Sequence, residues 1–131
     1  MKIFRDRESA LRPADPGSFL GPAATKLLAS AEEGAAVHLY RVEFESGGRT
    51  NWHTHSGPQW LFIIRGRVRV QRGGEAAQDV EAGDAVLFAP GERHWHGATP
   101  GGGGTHLAMN VNVKTDWLEP VTEEEYNASR S

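Results

Sequence analysis

Hydrophobic and polar residues alternate with a period of two over much of the chain between positions 37 and 113. In residues 37–44, Tyr40, Val42 and Phe44 share one parity and Arg41 and Glu43 share the other. Successive side chains of a β-strand point to opposite faces, so this alternation predicts a strand with one face turned toward a core. The same criterion predicts strands in VHLYRVEF, NWHTH, QWLFII, RVRVQ, DAVLFA, HWHG and THLAMNVNV.

Glycine-containing segments separate these strands: SGGR, SGP, RG, RGGE, EAGD, PGER and TPGGGG. Short strands at such close spacing favour an antiparallel, all-β barrel or sandwich. The glycines at 101–104 predict a flexible loop before the strand that carries His106. Near the C-terminus, Thr122 and Glu125 have the spacing of a capping box, which predicts a short helix or turn after Pro120.

The chain has 131 residues, which predicts a single domain over 1–131, with barrel motifs at about 35–115, an N-terminal arm at 1–34 and a tail at 116–131. Its net charge of −3 is spread along the sequence, so we expect a small-molecule partner rather than nucleic acid or a membrane. There is neither a signal-peptide pattern nor an apolar run long enough for a bilayer span. Because there are no cysteines, we expect a cytoplasmic protein whose metal ligands would be nitrogen and oxygen atoms.

Four of the six histidines form two pairs with a spacing of two residues: His53 with His55, and His94 with His96. A single histidine on a strand is usually structural, but each of these pairs presents two imidazoles on one face of a strand. Imidazole is the commonest ligand for several divalent metals. Gln59 adds a side-chain carbonyl oxygen nearby. We therefore predict a metal site.

Two spaced motifs resemble the cupin family. The stretch GGRTNWHTHSGPQWLFIIRG is similar to the first cupin motif, whose positions fall on Gly47, His53, His55, Gln59 and Gly66. The stretch GDAVLFAPGERHWHG is similar to the second, with Gly83, Pro90, Gly91 and His94. The resemblance implies a small double-stranded, jelly-roll-like β-barrel holding one metal ion through His53, His55, Gln59 and His94.

Gln59 stands where the family usually has glutamate. Three neutral imidazoles and an amide would leave the charge of a divalent ion without an anionic ligand. At an effective dielectric of about 20, the attraction between two unit charges 4 Å apart is roughly 4 kcal/mol. A glutamate ligand would therefore stabilise the ion much more than the neutral Gln59 would. Such an ion would be a stronger Lewis acid and less readily oxidised, which favours polar over redox chemistry.

From Arg49 onward, RTNWHTH, the ligand glutamine, PGERHWHGATP, THLA and DWLEPVTEEEY are similar to the bacterial cupin hydroxynitrile lyases. That resemblance implies cleavage of cyanohydrins to aldehyde and cyanide, with manganese favoured and Fe, Zn, Ni, Co or Cu as other options. It also implies a catalytic acid/base at His106. His96, which has the parity of His94, is the other candidate for that role.

Tyr40, Val42 and Asn110 are the candidate substrate-pocket residues. The lyase pattern has a small residue at position 40 and glutamine at 110, so Tyr40 would narrow the pocket, join the acid/base set or simply pack in the core. His38 is expected to be structural. Trp52, Trp60 and Trp95 have the parity opposite to the ligands, so we expect them in packing or at the interface of a homodimer or higher even oligomer.

Three alternatives to the lyase remain open on the sequence. A cupin with these ligands would also serve as a metal-dependent dioxygenase of small enols or diketones, as a sugar or uronate isomerase, or as a non-catalytic barrel that binds a small ligand.

Overall fold

The computed structural model describes residues 1–128, and within them β-strands predominate, as predicted. The strands are β1 (Arg12–Pro13), β2 (Phe19–Leu20), β3 (Ala23–Ala31), β4 (Val37–Phe44), β5 (Arg49–Thr50), β6 (His53–His55), β7 (Gln59–Arg72), β8 (Gln78–Glu81), β9 (Ala85–Phe88), β10 (His94–Ala98), β11 (Gly104–Val111) and β12 (Thr115–Trp117). A 3₁₀ turn covers Asp6–Glu8, and the short helix α1 covers Glu123–Asn127. Within these residues no helix has the length and apolar character that crossing a membrane requires.

The strands form one curled antiparallel sheet in the order β1-β3-β4-β11-β7-β10-β5-β2, with β6 joining β10 and β12. Strand β7 makes the curl possible. Its first half pairs with β11 and β9, and its second half pairs with β10 and β8. The chain therefore passes from one wall of the barrel to the other within one strand.

A turn was predicted at Arg65–Gly66, but β7 continues through it. Gly66 has a φ of 64°, and a Cβ there would lie 2.2 Å from the carbonyl oxygen of Gly103. Only glycine fits that backbone approach, so Gly66 bends the strand without ending it. Strands β3, β8 and β12 were not predicted, because their alternation is weak and they form by pairing with β4, β7 and β6. Strands β1, β2 and β5 were not predicted either, because each has only two residues.

The glycines at 101–104 are only partly a loop. A Cβ on Gly101 or Gly102 would meet no other atom within 4 Å, whereas a Cβ on Gly103 would lie 2.5 Å from the Phe44 carbonyl oxygen. Gly104 is already in β11, and a Cβ there would lie 2.1 Å from the Arg67 carbonyl oxygen. The second half of the run is therefore close packing between backbones, so the expectation of a flexible loop over the whole run is wrong.

The C-terminal tail covers the outer face of the strands that carry the histidines. Trp52 and Trp95 are 2% and 0% exposed and pack with Ala77, Val121 and Tyr126. The predicted capping box is present: Thr122 Oγ1 accepts from Glu125 N at 3.1 Å, and Glu125 Oε1 accepts from Thr122 N at 3.0 Å. Burying two tryptophans behind β6 and β10 fixes these strands from the side opposite the cavity.

Candidate metal centre

The two histidine pairs come together because β6 and β10 are neighbours. His53 and His94 are directly paired in register, and their ring centroids are 4.3 Å apart. His55 lies 5.0 Å from His53 and 5.4 Å from His94 by the same measure. Trp95 lies between His94 and His96, and Trp52 directly precedes His53; both pack against the C-terminal tail on the opposite side. The alternation predicted from the sequence therefore places these imidazoles on the inner face.

Each predicted histidine ligand is held by a hydrogen bond at Nδ1. His53 Nδ1 lies 2.8 Å from the carbonyl oxygen of Asn51, and His94 Nδ1 lies 2.8 Å from that of Glu92. His55 Nδ1 lies 2.8 Å from the hydroxyl of Thr115. A carbonyl oxygen only accepts, so His53 and His94 donate from Nδ1 and keep the lone pair on Nε2, the arrangement found in metal-binding histidines.

Gln59 is the first residue of β7 and is oriented by Asn110. Its Nε2 donates to Asn110 Oδ1 at 2.8 Å, which turns Oε1 toward His94 Nε2 at 3.1 Å. With the His94 proton on Nδ1, both facing atoms carry lone pairs. Two acceptors at this distance repel unless a cation lies between them, so Gln59 and His94 fit a shared metal ion.

Two further observations fit a metal. His55 Nε2 is buried and has no hydrogen-bond partner among residues 1–128. His53, His94 and His96 each offer a ligand nitrogen, and these atoms lie within 4.8 Å of one another. A buried lone pair without a partner is costly, and a cation would satisfy it. The donor set of imidazoles and an amide oxygen suits several divalent ions.

Burial keeps these histidines neutral at neutral pH. Desolvation lowers the pKa of His94 to about 4 and lowers the pKa of His55. It also lowers the pKa of His53 well below its usual value, and the neighbouring His94 adds to this effect. Because a metal ligand must be unprotonated, the site is ready to bind an ion around pH 7.

His96 and His106 form a second pair beside the first. His96 Nδ1 and His106 Nε2 are 2.9 Å apart, so one donates to the other. Burial lowers the pKa of His106 to about 4, and lowers that of His96 well below its usual value. An unperturbed histidine has a pKa near 6.5, and burial takes His106 well away from it because the charged form is poorly solvated in the interior.

His53, His55 and His96 open onto a cavity of about 270 Å³, whereas the predicted ligand His94 is not part of its lining. All three pocket residues predicted from the sequence line it, together with His53, His55, Gln59 and His96. His106 has no solvent exposure and lies behind His96. Ala108, which shares the strand face of His106 and Asn110, also lines the cavity. The rest of the lining comes from residues that the sequence did not mark as site residues: Phe19, Thr25, Thr50, Thr115 and Trp117. Tyr40 is thus a pocket residue, and its ring is stacked on that of His38 with centroids 6.3 Å apart.

Trp117 and Phe19 form an aromatic side of this cavity. Their ring centroids are 6.0 Å apart, and that of Trp117 lies 4.6 Å from that of His53. Trp117 comes from β12 and Phe19 from β2, two very short strands at the ends of the chain. Sequence patterns did not identify either residue, because each reaches the site only through long-range strand pairing.

A cavity lined by histidines inside a curled antiparallel barrel is typical of β-barrel proteins that bind a metal ion. Comparisons with known proteins agree with this class. The model of the cupin domain family matches residues 40–107, so the chain belongs to the cupin family. A solved cupin-like protein of Thermotoga maritima superposes with a TM-score of 0.85 and 37% identity, covering 89% of this chain and 92% of that one. A putative acetylacetone dioxygenase of Methylibium petroleiphilum shares the fold, with a TM-score of 0.73 and 18% identity over 92% of this chain and 82% of that chain.

The chain is also 43% identical to the (R)-mandelonitrile lyase of Granulicella tundricola, over 96% of this chain and 97% of that protein. The family, the site and this relative together make the chain a cupin enzyme whose histidines can hold a metal ion.

Proposed function

We propose that this cupin is a metal-dependent hydroxynitrile lyase that splits a small, preferably aromatic, cyanohydrin into an aldehyde and hydrogen cyanide. The observation that carries the proposal is that His53, His55 and Gln59 line one cavity together with His96, which is hydrogen-bonded to the buried His106. Aromatic and aliphatic side chains complete the walls of this cavity. The relative of 43% identity that is named as a mandelonitrile lyase supports the same reaction.

In this proposal His53, His55, Gln59 and His94 hold the ion. When bound, a divalent ion supplies a positive charge that stabilises the negative charge developing on oxygen or cyanide during cleavage. We favour manganese on the family resemblance, although the same ligands suit other divalent ions. Metal analysis of the purified protein tests the site: one equivalent per chain is expected, and His53→Ala and His94→Ala should each lose it. Full metal content in both variants would exclude this ligand set.

The chain's own residues would carry the proton. His96 borders the cavity in its neutral form and takes the proton of the substrate hydroxyl. The O–H electrons then form the aldehyde carbonyl, the C–C bond to the nitrile breaks, and its electron pair leaves with cyanide. His96 returns the proton to cyanide, so the products are neutral. His106, hydrogen-bonded to His96, orients it and shares the charge while it is protonated.

The walls of the cavity would select the substrate. Tyr40, Phe19 and Trp117 offer aromatic faces, and Val42 and Ala108 complete an apolar surface for a ring. The test is cleavage of mandelonitrile followed by the absorbance of benzaldehyde, with metal-free protein and free metal ion as controls. We expect a rate that depends on bound metal. Cleavage no faster than in the controls, in both the natural chain and Tyr40→Ala, would reject the lyase.

A dioxygenase of small enols or diketones is the second candidate, because a set of imidazole ligands beside an apolar pocket also suits that chemistry. Uptake of oxygen in the presence of a diketone would support it, whereas cyanohydrin cleavage consumes no oxygen. An oxygen electrode therefore distinguishes the two reactions in one experiment.

We also propose a homodimer, in a cytoplasmic setting, formed through the outer face of the β4-β11-β7-β9 wall. Trp60, Phe62, Ile64, Leu87 and Met109, here called the apolar sheet face, are 36% to 50% exposed. An outward sheet face is normally polar, and apolar patches of this kind mark protein interfaces. A second copy of the chain offers the same surface, as a two-fold interface needs.

A further inference from the structure

We propose that Thr115 is a positioning residue for His55, whose imidazole it holds with Nε2 turned to the cavity as a metal ligand. This inference rests on the proposed metal-dependent function. Thr115 Oγ1 lies 2.8 Å from His55 Nδ1, and both residues line the cavity. The partner that His55 Nε2 lacks among residues 1–128 would be the ion.

The other two proposed histidine ligands, His53 and His94, do not depend on a side chain for their orientation. His53 and His94 are bonded at Nδ1 to backbone carbonyl oxygens, which every sequence supplies. Of the three Nδ1 partners, that of His55 is a side chain. Metal binding at Nε2 requires the His55 tautomer protonated at Nδ1, in which the Thr115 hydroxyl accepts. A side chain at position 115 without an acceptor would remove this support.

The backbone around Thr115 fixes the position of this hydroxyl. Thr115 pairs directly with His55 in the β12–β6 ladder. Just beyond the pair, Ser56 N donates to the Lys114 carbonyl oxygen at 2.9 Å, and Lys114 N donates to Ser56 Oγ at 2.7 Å. A Cβ on Gly57 would lie 2.4 Å from the Val111 carbonyl oxygen, so the two segments are in close contact. These backbone contacts hold Thr115 Oγ1 next to His55 Nδ1 before any metal ion binds.

The tautomer of the metal-free protein gives the most direct test. Thr115→Val keeps the shape of the side chain and removes the acceptor, whereas Thr115→Ser keeps a hydroxyl. Two-dimensional ¹H–¹⁵N spectra of the imidazole nitrogens should show His55 protonated at Nδ1 in the natural chain and in Thr115→Ser. The preference should be lost in Thr115→Val and in Thr115→Ala, which serves if the valine variant fails to fold. An unchanged tautomer in the variants without a hydroxyl would overturn the proposal.

Cobalt(II) titration, followed by visible absorption, then tests the consequence for binding. The dissociation constant should rise by roughly 10 to 100-fold in Thr115→Val and stay close to the natural value in Thr115→Ser. Thr54→Val is the matched control, since Thr54 lies between the two histidines of β6 and alternation turns it outward. Equal cobalt affinity in Thr115→Val and the natural chain would overturn the role of Thr115 alone. If the natural chain bound no cobalt, both the proposed metal-dependent function and the role of Thr115 would be wrong.

Discussion

His96 and His106 are joined by a 2.9 Å hydrogen bond between Nδ1 and Nε2, yet they differ in access to the substrate. His96 borders the cavity, whereas His106 is wholly buried behind it. The sequence left open which of them is the acid/base. Their placement favours different roles: His96 contacts the substrate, and His106 acts through its hydrogen bond to His96.

Replacing the two histidines should therefore have unequal effects. His96→Ala removes the group that exchanges the proton and should lower kcat by about 10² to 10⁴-fold. His106→Ala should lower kcat by less, because a water molecule can replace its hydrogen bond to His96. Steady-state kinetics with mandelonitrile, with metal content measured on the same samples, gives the comparison. A larger loss in His106→Ala at full metal occupancy would reverse the assignment.

Gln59→Glu should change the metal site in a defined direction. The added carboxylate compensates one unit of the ion's charge, so metal affinity should hold or rise while the rate of cleavage falls. In the metal-free protein the glutamate loses the donor that Gln59 offers to Asn110 Oδ1, so its melting temperature should drop. Differential scanning calorimetry with and without Mn²⁺ measures the melting temperature and the stabilisation by metal, and the mandelonitrile assay measures the cleavage rate. A variant that binds metal less tightly, or cleaves faster, would contradict this account of Gln59.

Stability of the metal-free protein should decrease as the solution is acidified. Burial lowers the pKa of His94 and of His106 from 6.5 to about 4, so the unfolded state binds more protons between these values. The free energy of unfolding should then fall as pH drops from about 6.5 to about 4, by up to about 1.4 kcal/mol per pH unit for each histidine. Urea unfolding at pH 7.5, 6 and 5 measures the slope.

His106→Asn provides the control for this pH dependence. The variant keeps a polar side chain but cannot titrate, so its slope should be shallower than that of the natural chain by the contribution of one histidine. A free energy of unfolding that stays constant from pH 7.5 to 5 in the natural chain would show that these buried groups do not determine acid stability.

Tyr40→Ala should enlarge the cavity and broaden the range of aldehydes accepted. Tyr40 packs beside Val42 and Ala108 along one wall, so truncation leaves space for larger substituents. Relative kcat/KM for mandelonitrile and for a bulkier ring-substituted cyanohydrin is the measurement. Val37→Ala, at the start of the same strand and of opposite parity, is the control. An unchanged ratio would place Tyr40 outside the determinants of specificity.

Trp60→Glu should convert the dimer to a monomer. Trp60 is 43% exposed within the apolar sheet face, and a carboxylate there would have to be desolvated in a two-fold contact. Sedimentation equilibrium at tens of micromolar should give twice 14.3 kDa for the natural chain and about 14.3 kDa for the variant. Leu20→Glu, an equally exposed apolar position on β2, should leave the dimer intact. A monomeric natural chain would refute the interface.

The sequence by itself determined an antiparallel all-β fold with paired histidines, and its resemblance to the cupin family implied the barrel that these histidines line. Period-two alternation is a local property of the backbone, so it could be seen in residues 37–44 and around His53 and His94 without knowing any long-range contact. The spacing of residues also grouped Gln59 with the histidines as a candidate metal ligand and predicted the capping box of Thr122. These features depend on residues close together in the chain.

The tertiary structure decided which distant groups meet at the site. Thr115 reaches His55 through the β12–β6 pairing, Phe19 approaches Trp117 from the other end of the chain, and His106 lies behind His96. Strand pairing is set by complementary surfaces and backbone hydrogen bonds, which leave little trace in a short segment such as TDW. The lowered pKa of His106 has the same origin, because desolvation is produced by every element packed around it and not by its neighbours in sequence.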